Sequence, residues 1–205
     1  MYIPKLYRQE DHVEIMDFLR SNNFAAIVSS SGGLPTATHT PVEIIESEGG
    51  LLVCGHISRA NPQWKNLGSE EVLLIFQGAH TYISPRWYDH VNVPTWNYKI
   101  LHLYGRLREL QGQELFDLLS RLVKNNEGGD EYQLEKLPPE YVQQQIKGIF
   151  GFAIEITRLE ASYKLSQNRD DLNHASIIQH LQERPDEASH EIAESMRKQR
   201  PGSTG

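Results

Sequence analysis

Cysteine is almost absent from this chain, because Cys54 is the only one among 205 residues. A single cysteine excludes an intramolecular disulfide and a cysteine-rich zinc site. No run of about 18 apolar residues occurs, so we expect no transmembrane helix. The first residues also lack the basic-then-apolar pattern of a signal peptide, and the expected compartment is therefore the cytoplasm.

Positive charge is also scarce. The chain has 20 lysines and arginines against 27 acidic residues, which gives a formal net charge of −7 at pH 7. Proteins that bind phosphate backbones usually carry a basic face. The charge therefore disfavours general nucleic-acid binding, but a small phosphorylated ligand needs only two or three donors and stays compatible with it.

The common catalytic motifs are missing as well. The sequence contains no Walker loop, no G-x-G-x-x-G, no H-E-x-x-H and no G-x-S-x-G, which argues against a standard nucleotidase, zincin or α/β-hydrolase. Nine histidines are present. They show no short ligand spacing and no accompanying carboxylates, so we expect structural histidines and no metal site.

Short strand patterns dominate the middle of the chain. Asp11 followed by Glu14 has the spacing of a capping box and predicts a helix start. Pro41 falls within a β-branched run and indicates an edge strand or a bulge. Apolar or alternating runs predict strands over residues 25–30, 36–46, 51–56, 72–77, 80–84, 95–110 and 149–157.

Helical patterns are fewer. The clearest covers residues 111–126, with a leucine stripe and a stop at Gly128-Gly129; shorter ones cover 61–67 and 138–145. The tail from Asp170 is helical and is interrupted at Pro185. Many short strands with few helices between them predict a mainly β fold with flanking helices (α+β), and a barrel rather than a parallel sheet. We expect residues 1–160 to form the barrel domain and 161–205 to pack on it.

Three segments combine hydrogen-bond donors and aromatic rings. Residues 56–64 follow an apolar strand, where Ser58 and Arg59 are suited to bind a phosphate; alternatively, Ser58 caps a helix and Arg59 is solvated. Residues 80–98 contain two tryptophans and three tyrosines, which fit a flat ring ligand, the core or a subunit interface. Residues 164–169 offer two cations, a hydroxyl and two amides, suited to a phosphate, a ring edge or a helix cap.

Together these segments resemble the PaiB family of FMN-binding proteins, over residues 1 to about 185. The matching segments are Met1-Tyr2-Ile3-Pro4, Pro41-Val42-Glu43, Ser58-Arg59-Ala60-Asn61-Pro62-Gln63-Trp64, Tyr82-Ile83-Ser84-Pro85, Trp87-Tyr88, Val93-Pro94-Thr95-Trp96-Asn97-Tyr98 and Lys164-Leu165-Ser166-Gln167-Asn168-Arg169. The resemblance implies a split β-barrel of the pyridoxamine-phosphate-oxidase type, a homodimer with FMN near the interface, and a negative transcriptional regulator acting directly or indirectly. It points to these cofactor-binding residues: His56, Ser58, Arg59, Asn61, Thr95, Trp96, Asn97, Lys164, Ser166 and Gln167.

Other functions stay open at this stage. Flavin supplies its own redox chemistry, so an FMN-dependent oxidoreductase such as a flavin reductase needs no strong acid or base from the protein. The sequence therefore does not decide whether the protein is an enzyme. A haem-binding protein of the same fold and a DNA-binding repressor without a cofactor are the further alternatives.

Overall fold

Six β-strands form the framework of the computed structural model, which describes residues 1–68, 70–128 and 131–200. Their bounds are β1 Phe24–Ser31, β2 Leu34–Ser47, β3 Gly50–Ser58, β4 Val72–Ile83, β5 Thr95–Leu110 and β6 Ile149–Lys164. The sheet closes into a barrel with the strand order β1-β2-β3-β6-β5-β4. This topology confirms the predicted mainly β barrel.

Five α-helices flank the strands. They are α1 His12–Ser21, α2 Gly112–Glu127, α3 Pro139–Lys147, α4 Asp171–Gln182 and α5 Glu187–Gln199. Oδ1 of Asp11 accepts the backbone N–H of Glu14 at 3.1 Å, as the capping-box spacing predicts. Among the described residues, no helix is long and apolar enough to cross a membrane.

Contacts divide the chain into two compact units. The first unit comprises Met1–Phe18, Gln77–Leu101 and the chain from Glu160 onward; the second comprises Leu19–Phe76 and His102–Leu159. Strands β4, β5 and β6 each contribute residues to both units. The boundary expected at residue 160 falls inside β6.

Helix α2 covers one part of the second unit. Its buried stripe consists of Leu115, Leu118, Leu119 and Leu122, as the periodicity predicts. The stripe packs against Cys54 of β3 and Ala153 of β6. Burial, followed by the charge of Glu43, raises the pKa of the Cys54 thiol to about 11, so it stays protonated at neutral pH.

Helix α2 ends where the sequence predicts. Gly128 has a φ of 68°, and its N–H donates to the carbonyl oxygen of Lys124. This left-handed conformation favours glycine, so the residue stops the helix. Gly129, the second residue of the predicted stop, lies outside the described residues.

Three expectations need correction. The strands predicted over 72–77 and 80–84 are one strand, β4, because the backbone of Gly78 and Ala79 stays extended. Strand β2 is not an edge, since β1 and β3 pair with it on both sides. Pro41 lies opposite Phe24, the first residue of β1, where a missing N–H costs little. Strand β6 runs to Lys164, beyond the predicted end at residue 157.

Candidate functional site

The first candidate site lies in the second unit, where β3 ends at Ser58 opposite Ile149 of β6. We call His56, Ser58, Arg59 and Asn61 the strand-end cluster. Oγ of Ser58 accepts the N–H of Ala60 at 3.1 Å, and the Ser58 carbonyl accepts the N–H of Asn61 at 3.0 Å. Ser58 therefore shapes the turn, while its own hydroxyl proton has no acceptor within the described part of the chain.

Asn61 has a structural role in this cluster. It caps the 3₁₀ helix Pro62–Asn66, because its Oδ1 accepts the N–H of Gln63 at 3.0 Å. Its amide nitrogen donates to Oγ1 of Thr38 at 2.7 Å. Gln63 is 3% exposed. Nε2 of Gln63 lies 3.2 Å from the Ile27 carbonyl oxygen, 3.1 Å from the Ser29 hydroxyl and 3.0 Å from the Thr36 carbonyl oxygen, so its two protons are shared among buried acceptors.

Arg59 is held from three sides. Its backbone N–H donates to the Gly148 carbonyl at 2.8 Å. Its guanidinium lies 5.4 Å from the ring centroid of Trp64 and 5.6 Å from that of Phe150, which is a cation–π geometry. It also forms an ion pair with Glu109, and the two side chains are 36% and 29% exposed. Arg59 is thus accessible, but its charge is already compensated.

His56 contributes an unpaired nitrogen. Its Nδ1 is buried without a hydrogen-bond partner among the described residues. Burial lowers the pKa of the imidazole from its usual 6.5, so the ring is neutral at pH 7. The backbone carbonyl of His56 accepts the Thr40 hydroxyl at 2.6 Å, which fixes the strand but leaves the ring unengaged.

The second candidate site lies in the first unit. We call Thr95, Lys164 and Arg169, with the rings of Tyr7 and Tyr88, the cation cluster. Lys164 ends β6, and its Nζ donates to Oγ1 of Thr95, the first residue of β5. Lys164 Nζ lies 5.9 Å from the Tyr7 ring centroid, and the Arg169 guanidinium lies 4.8 Å from that of Tyr88.

Neither cation of this cluster is compensated. Lys164 and Arg169 form no ion pair with any described carboxylate. Burial lowers the pKa of Lys164, and the positive charge of Arg169 lowers it further. Two positive charges close to each other repel. A bound anion would offset this repulsion and stabilise both charged groups.

Three other predicted site residues build the turn that carries Arg169. Ser166 has a φ of 60°, a left-handed conformation rare outside glycine. Its hydroxyl and the Asn97 side chain exchange hydrogen bonds of 3.0 and 3.1 Å, and both residues are buried. Gln167 bonds the backbone, donating to the Tyr163 carbonyl and accepting the Leu165 N–H. Asn97, Ser166 and Gln167 are therefore engaged inside the protein.

Trp96 is part of an exposed aromatic face. Its side chain is 51% exposed, and it points away from the side of β5 that carries Thr95 and Asn97, because side chains alternate along a strand. The His80 and Tyr82 rings lie 6.1 and 6.0 Å from the Trp96 ring. We call His80, Tyr82 and Trp96 the aromatic face.

Two charged residues near these clusters were not among the named cofactor-binding residues. Arg169 is the second cation of the predicted segment 164–169, so the sequence already carried a usable signal for it. Glu109 lies fifty residues from its partner Arg59, and no local pattern links the two. Only the pairing of distant strands reveals such a contact.

Two further observations concern metal binding and the position of the cleft. Within the described ranges, no group of three or more His, Cys, Asp and Glu side chains is arranged to hold a metal ion. A cleft of about 290 Å³ opens in the first unit, but it contains none of the predicted cofactor-binding residues. Its lining consists of Gln9, Asp11, Glu14, Lys99, Tyr163, Leu165, Ser195, Lys198 and Gln199.

Solved structures of low sequence identity share this fold. The chain superimposes on the FAD and heme binding protein from Mycobacterium smegmatis with a TM-score of 0.64 and 12% identity, covering 83% of this chain and 80% of the other. The flavocytochrome Anf3 from Azotobacter vinelandii gives a TM-score of 0.61 and 16% identity, covering 79% and 72%. Identities this low support the split-barrel fold alone.

Sequence comparisons are more specific. Residues 1–158 match the family model described as "Putative FMN-binding domain". The protein is 37% identical over 199 residues to "Protease synthase and sporulation protein PAI 2" of Bacillus subtilis (strain 168), covering 96% of both chains. The family model covers more than half of the chain and the relative is 37% identical over nearly its whole length, so the chain belongs to the PaiB family of FMN-binding-domain proteins.

Proposed function

We propose that this protein binds FMN and uses Ser58 and Arg59 to hold the FMN phosphate. The observation that carries the proposal is the Ser58 hydroxyl, a donor without an acceptor among the described residues. It immediately precedes Arg59, whose side chain is 36% exposed. A phosphate accepts from both groups through charge-assisted hydrogen bonds. The family match supplies the prior that the phosphate belongs to a flavin.

Ser58 and Arg59 are suited to bind a phosphate, provided that the phosphate replaces one existing partner of Arg59. Arg59 now pairs with Glu109, so an entering phosphate takes the place of that carboxylate. Trp64 and Phe150 keep the guanidinium plane in position during the exchange, because the cation–π contacts do not involve the carboxylate. The bound flavin supplies redox chemistry, while the protein supplies binding and orientation.

A homodimer is the second part of the proposal. The aromatic face exposes 51% of Trp96 and 37% of Tyr82, and aromatic residues of this kind are enriched in subunit interfaces. A second copy of the chain covering this face would remove these rings from water. Light scattering tests this part: a dimer is expected, and Trp96→Glu is expected to produce monomers.

The third part is a regulatory role in the cytoplasm. The name of the Bacillus subtilis relative refers to protease synthesis and sporulation, which motivates the proposal here. The net charge of −7 favours an indirect route over DNA contact. A promoter shift at low salt would support DNA contact, and no shift would support the indirect route.

The FMN proposal is tested with the freshly purified full chain. We expect a flavin spectrum, or saturable quenching of FMN fluorescence on titration of the apoprotein at micromolar concentrations. Absence of bound flavin together with no binding at tens of micromolar FMN would contradict the proposal. A Soret band would favour haem instead, and rapid reduction of bound flavin by NADH or NADPH would favour an FMN-dependent oxidoreductase.

A further inference from the structure

We propose that the cation cluster is a second anion site, which takes the phosphate group of a small phosphorylated molecule other than the FMN bound at Arg59. Lys164 and Arg169 supply the charge, and Thr95 supplies a hydroxyl already hydrogen-bonded to Lys164. The proposal does not rest on the FMN phosphate site, because the residues that carry it are different from Ser58 and Arg59.

The nearby acidic residues do not neutralise the cluster. Asp170 follows Arg169 directly, but its carboxylate caps α4 and accepts the N–H of Asn173 at 2.9 Å and the Asn173 amide. Asp171 accepts from the Arg200 guanidinium at 3.0 Å. Both carboxylates therefore have partners, and the charges of Lys164 and Arg169 remain uncompensated.

The backbone that carries the two cations is held in place. The Arg169 N–H donates to the Ser166 carbonyl at 3.1 Å, which closes the turn. The Arg200 guanidinium donates to the carbonyl oxygens of Gln167 and Arg169 at 2.6 and 2.8 Å. A buried hydrogen-bonded pair, Asn97 and Ser166, fixes the left-handed residue of the turn. A site preorganised in this way loses little entropy when a ligand binds.

The chemistry favours phosphate over a carboxylate. A phosphate monoester carries close to two negative charges at neutral pH, which matches two cations, and it has several acceptor oxygens for the Lys164 ammonium, the Arg169 fork and the Thr95 hydroxyl. A monocarboxylate leaves one positive charge uncompensated. Each cation also has an aromatic neighbour, Tyr7 at 5.9 Å from Lys164 Nζ and Tyr88 at 4.8 Å from the Arg169 guanidinium.

Titration with inorganic phosphate tests the proposal. The ¹⁵N-labelled full chain, with and without saturating FMN, is followed by ¹H–¹⁵N correlation spectra at constant ionic strength, with acetate and chloride as parallel titrations. We expect saturable shifts confined to the amides of residues 164–170 and the Arg169 side chain, with a dissociation constant on the order of 1 mM. Acetate should bind several-fold more weakly and chloride not at all.

Three variants separate the proposal from general charge effects. Lys164→Gln and Arg169→Gln should each weaken phosphate binding about tenfold. Lys164→Arg should retain binding, which shows that loss in the glutamine variant does not reflect misfolding. Lys198→Gln is the matched control, because it removes a cation of the same unit that already pairs with Glu194, and it should leave phosphate binding unchanged.

Several outcomes would overturn the proposal. One is phosphate binding that the two glutamine variants do not weaken, and another is the absence of saturable shifts in residues 164–170. A third is a tenfold loss of FMN affinity in both glutamine variants, since the cluster would then serve the cofactor itself. Failure of the protein to bind FMN, with phosphate binding intact, would contradict the proposed function and leave the second site standing.

Discussion

The two clusters present opposite electrostatic situations. In the strand-end cluster, Arg59 has a carboxylate partner in Glu109 and two aromatic neighbours. In the cation cluster, Lys164 and Arg169 have no described carboxylate partner, and burial, followed by the charge of Arg169, lowers the pKa of Lys164. The strand-end cluster must therefore give up an internal ion pair when a ligand binds. In the cation cluster a bound anion would pair with charges that have no carboxylate partner.

This difference matters for affinity and selectivity. An anion that binds Arg59 must first displace Glu109, so its net binding free energy is only the difference between the two interactions. A weakly bound anion therefore does not displace the carboxylate. The phosphate of FMN can displace it, because the flavin ring contributes further binding free energy. The uncompensated cations of the first unit can bind a free phosphate without displacing a carboxylate. The comparison therefore predicts one site that needs the whole cofactor and one site that binds a phosphate group by itself.

The largest expected effect is at Arg59. Arg59→Ala removes the charge-assisted bonds to the phosphate, each worth about 1.5–3 kcal/mol, and should weaken FMN binding roughly 10–100-fold. Arg121→Ala is the matched control in the same unit, because Arg121 also pairs with a carboxylate, that of Glu43, at 2.9 Å. Fluorescence titration measures both variants. Equal losses in the two would show that Arg59 acts only through the overall charge.

Asn97 tests whether the turn that carries Arg169 is stabilised by buried hydrogen bonds. Asn97→Ala leaves the buried Ser166 hydroxyl without its partner and should lower the free energy of unfolding by about 1–3 kcal/mol. FMN affinity of the folded protein should change little, since Asn97 is fully buried. Urea denaturation and FMN titration separate the two quantities. A large loss of FMN affinity with unchanged stability would place Asn97 in the cofactor site instead.

His174 makes the stability of the first unit sensitive to acid. It is fully buried with neither ring nitrogen hydrogen-bonded, and burial, followed by the charge of Arg200, lowers its pKa below 6.5, while Asp171 opposes the shift. The unfolded chain therefore takes up the proton first. The free energy of unfolding should fall as pH drops below 6.5, by at most about 1.4 kcal/mol per pH unit, until the pH reaches the folded-state pKa.

Replacing this histidine checks that acid sensitivity. His174→Leu should flatten the decrease in unfolding free energy between pH 6.5 and 5, as measured by urea denaturation at several pH values. His190→Gln is the control, because His190 is exposed at the surface of α5. An unchanged slope in His174→Leu would show that other groups, His56 among them, cause the acid sensitivity.

Much of the fold follows from local sequence patterns. Strand β5 alternates buried and less buried residues from Leu101 to Arg106, and α2 carries four leucines at helical spacing, so both were predictable from periodicity. Strand β4 was divided in the prediction because Gly78-Ala79 interrupts the apolar run. Strand β6 continues past Thr157, where polar residues remove the hydrophobic signal while backbone pairing persists.

The segments that contain the candidate sites could be predicted from the sequence, but the role of each side chain within them could not. The donors of residues 56–61 and 164–169 stood out by composition. Whether a donor faces a ligand or another part of the protein depends on contacts between distant residues. Asn61 bonds Thr38, and Asn97 bonds Ser166 sixty-nine positions away. No periodicity encodes such partners, so the internal hydrogen bonds of Asn61, Asn97 and Gln167 could not be predicted from the sequence.

Glu109 gives the smallest expected effect. If Glu109 competes with the cofactor phosphate for Arg59, Glu109→Gln should raise FMN affinity by up to about fivefold, the scale of a partly exposed ion pair. Glu114→Gln is the control, since Glu114 pairs with Arg108 at 2.9 Å in the same unit. Unchanged or weaker FMN binding in Glu109→Gln alone would refute the exchange of carboxylate for phosphate.

The contribution of the FMN phosphate tests the central claim most directly. Riboflavin lacks the phosphate, so the ratio of the riboflavin and FMN dissociation constants isolates its contribution. We predict a ratio well above ten in the natural protein, a ratio near one in Arg59→Ala, and an unchanged ratio in Lys164→Gln. A ratio that survives in Arg59→Ala and collapses in Lys164→Gln would contradict the account and move the FMN phosphate to the cation cluster.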